Sequence, residues 1–333
     1  MVNISNFLKA IRSPRIMLII SLLILITIFP VITTDYYVLS ILISANIFAV
    51  FAASWDILAG VTGVFSFGQA LFFGAAAYMS GALNLYLGIP PWLTIPLGGA
   101  FGVIVGFLVG LPSLRLKGRY FTITSLIFPG ILAILILEYP DLLGGETGLY
   151  GLSPISSEIW ITYYGSVILM VASIFILTRI ATSNTGLIFK SIRDDEDAAE
   201  ATGINTTKYK FLSFAISGFF AGIAGGFQAH LLMFAGPYVF NIFYSLQAML
   251  IAAIGGIGTI IGAVGGSYLM TILNEILRDV VYFRVLITAI MMLLIFRFLP
   301  MGLLRRIASR LKMPLGSWRG LRKLRRAKDG HNS

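Results

Sequence analysis

The longest polar stretch in the body of this chain, residues 179–210, contains the side chains best suited to contact another protein. Four consecutive acidic residues, 194–197, precede the small residues Ala198 and Ala199, and Gly203 follows shortly after them. Acidic side chains favour the positive end of a helix, alanine promotes helix formation, and glycine is suited to end it. The pattern therefore predicts a short helix that serves either as a docking surface in another protein's groove or as a solvated connection.

Two glycine-rich segments, one in each half of the chain, lie where long apolar stretches end. The first contains Gly60, Gly63 and Gly68, and the second contains Gly255, Gly256 and Gly258. Within a membrane a helix break is tolerated only inside protein or beside water, so such segments can expose backbone groups toward a cavity. A tight turn between two helices explains the same pattern equally well. Their recurrence favours a chain built from two related halves.

Ionisable side chains inside the apolar stretches form a third group of candidates. Asp56 stands one helical turn before the first glycine segment, and His230 and Glu275 lie in later stretches. Such groups are rare in membrane segments and often mark a transport pathway. Pairing with a neighbouring helix is the alternative for all three.

No arrangement of residues in the sequence indicates catalysis. The chain has no cysteine, and its two histidines, His230 and His331, are too far apart to form a recognisable zinc motif. None of its lysines follows a glycine, which excludes the Gly-Lys-Ser/Thr loop that cradles phosphates. We therefore predict no catalytic residue, no metal and no cofactor, and any nucleotide must be bound by another subunit.

The composition identifies the environment in which these residues lie. Of the 333 residues, 58% are hydrophobic and 11% are charged, whereas soluble proteins have roughly 45–50% apolar and about 25% charged residues. The net charge of +10 comes mostly from the region that begins at Arg305, which has ten Lys and Arg and one acidic residue. This distribution indicates an integral membrane protein whose basic tail can contact lipid, and it argues against nucleic acid as a partner.

Ten stretches are predicted to be transmembrane helices, since crossing a membrane takes roughly 20 apolar residues. They are Ile16–Ile32, Val38–Ala59, Phe67–Leu87, Trp92–Leu111, Phe121–Leu137, Ile159–Thr178, Phe211–Phe234, Ile242–Ile261, Ala263–Leu277 and Val285–Leu299. In two of them glycine recurs every fourth residue, at Gly98, Gly102, Gly106 and Gly110 and at Gly218, Gly222 and Gly226. This spacing puts the glycines on one helix face and predicts close packing against other helices.

The distribution of Lys and Arg predicts the orientation of the chain. Basic residues precede the first span, follow the fourth, sixth and tenth, and so place these segments and both termini in the cytoplasm. The exception is Arg278–Arg284, which the same count places outside. The chain then divides into a cytoplasmic N-terminus, residues 1–15, a transmembrane domain, 16–304, that contains the loop 179–210, and a basic cytoplasmic tail, 305–333.

Several separated motifs resemble one family of transporters. Arg193-Asp194-Asp195-Glu196, followed by Ala198-Ala199 and Gly203, resembles the EAA-type coupling segment through which ABC importer permeases engage their ATPases. The string from Ser54 to Gln69 is similar to the second and third helices of branched-chain amino-acid importer permeases of the LivM type. The resemblance extends over most of the chain, from about residue 40 to 300.

This resemblance implies an all-α permease of the type II ABC importers, with about ten transmembrane helices in two related halves, in the inner membrane. The implied partners are a homologous LivH-like permease or a second copy of this chain, two cytoplasmic ATP-binding subunits and an extracytoplasmic solute-binding protein. The implied substrate is a branched-chain or related apolar amino acid. Urea or short amides are the alternative within the family, and a stand-alone secondary transporter is the alternative outside it.

The resemblance also implies roles for individual residues. The ATPase-coupling residues are Arg193, Asp194, Asp195, Glu196, Ala198, Ala199 and Gly203, and the translocation-pathway candidates are Asp56, Thr62, Ser66 and Gln69. The hydroxyl and amide groups of the latter set could offer uncharged hydrogen bonds to a passing zwitterion.

Overall fold

In a computed structural model of the protein, residues 35–113 and 119–278 are described, together with the isolated positions 33, 287 and 290. These residues form eleven α-helices and one two-stranded antiparallel ribbon. The helices are α1 (Tyr36–Asp56), α2 (Gln69–Leu87), α3 (Pro91–Ser113), α4 (Arg119–Glu138), α5 (Pro140–Leu143), α6 (Ile159–Thr182), α7 (Asn184–Asp194), α8 (Glu196–Ala201), α9 (Thr206–Leu232), α10 (Ile242–Gly255) and α11 (Gly262–Ile276). A π-helical turn, Ile57–Val61, continues α1, and the ribbon consists of β1 (Leu149–Tyr150) and β2 (Phe234–Ala235).

Eight of the ten predicted spans fall in the described part of the chain, and all eight form helices. Six of these, α1 with its π-helical turn, α2, α3, α4, α6 and α9, are long and apolar enough to cross a membrane. The first span, the N-terminus and the basic tail lie outside the described residues, as does the tenth span apart from two positions.

The predicted eighth span, Ile242–Ile261, is shorter in the structure than its apolar sequence suggests. It ends as α10 at Gly255, because Gly256 adopts a φ of 105° and cannot continue a helix. With 14 residues, α10 extends about 21 Å and does not cross a membrane core alone. The following helix, α11, has 15 residues, about 22 Å, and is likewise too short to cross a membrane core alone.

The glycine faces of α3 and α9 pack directly against each other, as the four-residue spacing predicts. A Cβ atom placed on Gly102 would overlap the carbonyl oxygen of Gly218, and one on Gly222 would lie 3.0 Å from the carbonyl oxygen of Gly98. Without side chains the two backbones approach closely, which maximises van der Waals contact where no hydrophobic driving force acts. This contact places α9 at the centre of the bundle.

The connections on the face opposite the 179–210 loop are joined by the short ribbon. Leu149 pairs with Ala235 and Tyr150 with Phe234, linking the connection after α4 to the one after α9. The distribution of charges predicts both connections on the same side of the membrane, and their pairing agrees with this. The ribbon therefore fixes one end of the bundle.

Candidate functional site

The loop between α6 and α9 folds into two short helices, α7 and α8. The Asp195 carboxylate accepts a hydrogen bond from the backbone N–H of Ala198 at 3.0 Å and so caps the start of α8. Gly203, just after the helix, has a φ of 87° that favours glycine. The predicted short helix is therefore present, but it begins at Glu196, and Arg193 and Asp194 belong to the last turn of α7.

The α7–α8 segment is held firmly against α9. Lys210 Nζ lies 2.5 Å from Glu196 Oε1 in an ion pair whose lysine side chain is only 9% exposed. The Thr206 hydroxyl donates to Glu200 Oε1 at 2.5 Å. These contacts connect α8 directly to α9, one of the helices of membrane length.

The exposed face of the α7–α8 segment differs in one respect from the sequence expectation. Ala198 is exposed, whereas Ala199 is buried, because a helix that packs on one side presents successive residues to different surroundings. Exposed Leu187 and the acidic Asp194 and Asp195 complete the outward face. Small, acidic and apolar side chains thus share a surface on which nothing else in the described chain packs.

Arg193 joins this segment to the first glycine segment. Its Nη1 donates to the carbonyl oxygen of Gly60 at 2.9 Å, and its Nη2 lies 3.0 Å from Asp194 Oδ1. A Cβ atom on Gly63 would lie 2.7 Å from Arg193 Cγ, and Gly63 has a φ of 82°. Glycine is therefore required here both by the backbone conformation and by the approach of the arginine.

Asp56 brings the two glycine segments together although they are far apart in the sequence. Its carboxylate accepts hydrogen bonds from the backbone N–H of Gly258 at 2.6 Å and of Ile260 at 2.8 Å, and the side chain is buried. A Cβ atom on Gly60 would lie 2.5 Å from the nitrogen of Gly258. The second glycine segment is thus a loop wrapped around a buried carboxylate, with positive φ at Gly256, Gly258 and Ile260.

The other three pathway candidates are also bonded within the protein. The Thr62 hydroxyl donates to the carbonyl oxygen of Ile57 at 3.0 Å, and the Ser66 hydroxyl accepts from the N–H of Gly68 at 3.0 Å. Gln69 Nε2 donates to the hydroxyls of Ser54 and Ser217 at 2.7 and 3.1 Å. All three side chains are buried, so the structure places them in the packing around the glycine segment, and their pathway role stays a prediction.

His230 also bonds across helices. Its Nε2 lies 3.0 Å from the Ser80 hydroxyl and 2.9 Å from the Thr94 hydroxyl, and its Nδ1 lies 2.8 Å from the carbonyl oxygen of Ser153. The ring therefore ties α9 to α2, α3 and the β1 connection. Among the described residues, no group of three or more His, Asp or Glu side chains is arranged to hold a metal ion.

A polar cavity of about 530 Å³ lies at the end of the bundle opposite the α7–α8 segment. One face each of α1, α10 and α11 lines it, and α9 contributes Gln228. Of the residues that line this cavity, Glu275 is the one that the sequence marks as an ionisable candidate, and the sequence does not predict the cavity itself. The available signal was the spacing of Thr271, Asn274, Glu275 and Arg278, which puts three polar side chains on one face of α11 and a fourth in the turn directly after it.

Apolar helices of membrane length, buried polar helix breaks and a polar cavity define a multi-pass α-helical membrane protein. The chain belongs to the family described as the permease component of branched-chain amino acid transport systems, whose family model matches residues 37–296. This confirms the family that the sequence motifs indicate.

Individual relatives agree with this assignment. The LivM permease of the high-affinity branched-chain amino acid transport system of Salmonella typhimurium is 28% identical over 82% of this chain and 71% of its own length. LivH of Escherichia coli, from the transport system of the same name, is 24% identical over 78% of this chain and 91% of its own. The ribose import permease RbsC of Haemophilus influenzae is 25% identical over 78% and 84%, respectively.

Proposed function

We propose that this chain is the membrane-spanning subunit of an ATP-driven, binding-protein-dependent importer of branched-chain or related apolar amino acids. The family match and the names of the LivM and LivH relatives support the substrate class. Urea and short amides, the alternative within the family, are not favoured because none of these relatives is named for them.

The observation that supports ATP-driven transport most directly is the α7–α8 segment. It carries exposed residues that include Ala198, while partly buried contacts through Glu196 and Arg193 attach it to α9 and to the first glycine segment. A segment of this kind can receive movement from another subunit and pass it to membrane helices. Two ATP-binding subunits docked there would supply the energy that this chain, without a phosphate-binding loop, does not.

The remaining parts of the proposal concern assembly and orientation. The α7–α8 segment and both termini face the cytoplasm, and the cavity faces the outside, where a solute-binding protein delivers substrate. A second permease, LivH-like or a second copy of this chain, completes the pathway in the cell membrane. Asp56 shapes this pathway at its cytoplasmic end by holding the two glycine segments together, and Thr62, Ser66 and Gln69 shape it by fixing the first of them.

Replacing Ala198 with tryptophan tests the docking role. A large side chain on this exposed position disturbs a groove in a partner without breaking any bond within the chain. In cells that express the complete transporter we expect A198W to abolish ATP-dependent uptake of labelled leucine and to reduce co-purification of the ATP-binding subunits.

The matched control is Ser157→Trp, an equally large change at an exposed position on the opposite face. It should leave co-purification of the ATP-binding subunits unchanged. If A198W retains full uptake and full co-purification, the α7–α8 segment is not the docking site. A stand-alone secondary transporter would give that result, together with uptake that does not depend on ATP.

A further inference from the structure

The mouth of the cavity opposite the α7–α8 segment carries a pair of opposite charges. Arg278 Nη1 lies 3.4 Å from Glu275 Oε1, and the Tyr37 hydroxyl donates to Glu275 and accepts from Arg278. The guanidinium also lies over the Tyr37 ring, 5.2 Å from its centroid. Both charged side chains retain access to solvent, at 34% for Glu275 and 60% for Arg278. A ligand can therefore reach both charges.

The inner end of the cavity is aromatic. Phe48 is the deepest residue of α1 that lines it, about 16 Å along the helix from Tyr37 at 1.5 Å per residue. Its ring packs against those of Phe73 and Tyr244, each with a centroid separation of 6.4 Å. Tyr244 lines the cavity as well. The floor of the cavity is thus suited to an apolar group.

The wall of the cavity contains an acceptor that lacks a donor. Gln228 is 8% exposed, and its Oε1 is buried without a hydrogen-bond partner among the residues that the structure describes. A buried amide oxygen left without a donor is destabilising, so native proteins almost always satisfy it. Because Gln228 lines the cavity, a rotation of its side chain would present this oxygen to a ligand with an N–H group.

We propose that this cavity binds the substrate itself, an apolar α-amino acid in its zwitterionic form. Arg278 binds the carboxylate, Glu275 binds the ammonium group with Gln228 Oε1 as a second acceptor, and the apolar side chain points inward along Ile41 and Phe243, toward the aromatic floor. The volume, about 530 Å³, lies within the usual range for small-molecule sites of about 300–1,000 Å³. This inference rests on the proposed function and assigns it a binding site.

The charge pattern favours a zwitterion over other solutes of similar size. Sugars, urea and neutral amides carry no separated charges and would leave the Glu275–Arg278 pair without complementary groups. Arg278 is also one of the two arginines whose predicted position opposes the general excess of Lys and Arg on the cytoplasmic side. Recognition of a carboxylate gives this exception a physical reason, since a guanidinium matches a carboxylate in shape and charge.

Cysteine labelling tests occupancy of the cavity, because the native chain contains no cysteine. Ser44→Cys and Gln247→Cys place a thiol in the cavity wall, and Tyr150→Cys places one on the exposed ribbon. The complete transporter in nanodiscs is treated with a maleimide in the presence and absence of L-leucine. At ten times its Kd, leucine should slow labelling in the cavity about tenfold and leave Tyr150→Cys unchanged.

Charge variants test the assignment of each group. Arg278→Gln should raise the KM for leucine uptake about tenfold to a hundredfold, the usual effect of losing a charge-assisted hydrogen bond, and Arg278→Lys should recover part of it. Leucinamide, which lacks the carboxylate, should compete with leucine better in Arg278→Gln than in the native protein. Glu275→Gln should raise KM similarly, whereas Glu138→Gln, an exposed glutamate at the end of α4, should not.

The outcomes separate the two proposals. Leucine uptake with normal KM in Arg278→Gln and Glu275→Gln, or cavity labelling that leucine does not slow, would overturn the binding site while the function stands. Absence of ATP-dependent leucine uptake by the native transporter would instead overturn the proposed function. A general loss of folding in Arg278→Gln would appear as lower yield without the altered competition by leucinamide, which also counts against the site.

Discussion

Replacing Asp56 with asparagine should destabilise the protein by removing the acceptor around which the second glycine segment is wrapped. In the native chain the two carboxylate oxygens accept from Gly258 N–H at 2.6 Å and Ile260 N–H at 2.8 Å, and the side chain is 1% exposed. Asparagine keeps one acceptor and turns an N–H₂ donor toward the other amide. Because a bond to a charged group contributes about 1.5–3 kcal/mol and an unpaired buried donor costs further free energy, we expect a loss of about 2–4 kcal/mol.

Thermal unfolding of the purified transporter, followed by tryptophan fluorescence, measures this loss. Trp55 is adjacent to Asp56, is buried, and donates through Nε1 to the carbonyl oxygen of Ser66 at 2.9 Å, so its emission reports on this region. At roughly 2 °C per kcal/mol for a large domain, the midpoint of D56N should fall by about 4–8 °C. Glu158→Gln, which removes an exposed carboxylate that makes no capping bond, should leave the midpoint unchanged.

Hydrogen exchange locates the effect. In D56N the amide that faces the new N–H₂ group, that of Gly258 or of Ile260, should lose its protection, because only one acceptor oxygen remains for the two donors. A midpoint within about 1 °C of the native value would refute the energetic reasoning. A lower midpoint with unchanged exchange at these two amides would show that the destabilisation arises elsewhere.

Two further predictions follow from close contacts. Gly102→Ala should lower the yield of the protein and its thermal unfolding midpoint, since the new Cβ atom would overlap the carbonyl oxygen of Gly218. Overpacking of this kind typically costs about 1–3 kcal/mol. The matched control is Gly130→Ala, whose Cβ atom would have nothing within 4 Å and which should change neither quantity. Arg193→Gln, which weakens the 2.9 Å bond to the carbonyl oxygen of Gly60, should reduce leucine uptake more than ATP hydrolysis in the assembled transporter. An equal reduction of leucine uptake and of ATP hydrolysis would mean that Arg193 does not couple hydrolysis to transport.

The helices and their close packing could be predicted from sequence because both depend on local patterns. Apolar stretches of membrane length gave eight helices in the described part of the chain, and the four-residue glycine spacing indicated the contact between α3 and α9. The end of α10 was missed because hydropathy does not detect a helix end. The stretch stays apolar beyond Gly255, and the backbone turns only because Gly256 and Gly258 adopt positive φ.

The polar site could be predicted only in part, because its bonds join residues that are distant in the sequence. A carboxylate beside a glycine-rich segment indicated that Asp56 has a specific role, but the sequence does not show that its partners are the amides of Gly258 and Ile260. The same limit applies to Gln69, which is satisfied by Ser54 and Ser217 from two different helices. The cavity is still harder to predict, since its lining residues come from four helices and from the turn after α11.

The structure gives α1 a central place between the two ends of the protein. At one end Asp56 holds the loop between α10 and α11, and Arg193 binds the adjoining π-helical turn at Gly60. At the other end Tyr37 bonds to Glu275 and Arg278, just where α11 ends. The α7–α8 segment is therefore connected, through Arg193 and Asp56, to α1 and to the loop that precedes α11. The same two helices, α1 and α11, carry the charged mouth of the cavity. In the proposed binding mode, a substrate that separates Tyr37 from Glu275 and Arg278 would loosen one end of this pair while Asp56 keeps the other end fixed, and α1 and α11 would connect occupancy of the cavity to the α7–α8 segment.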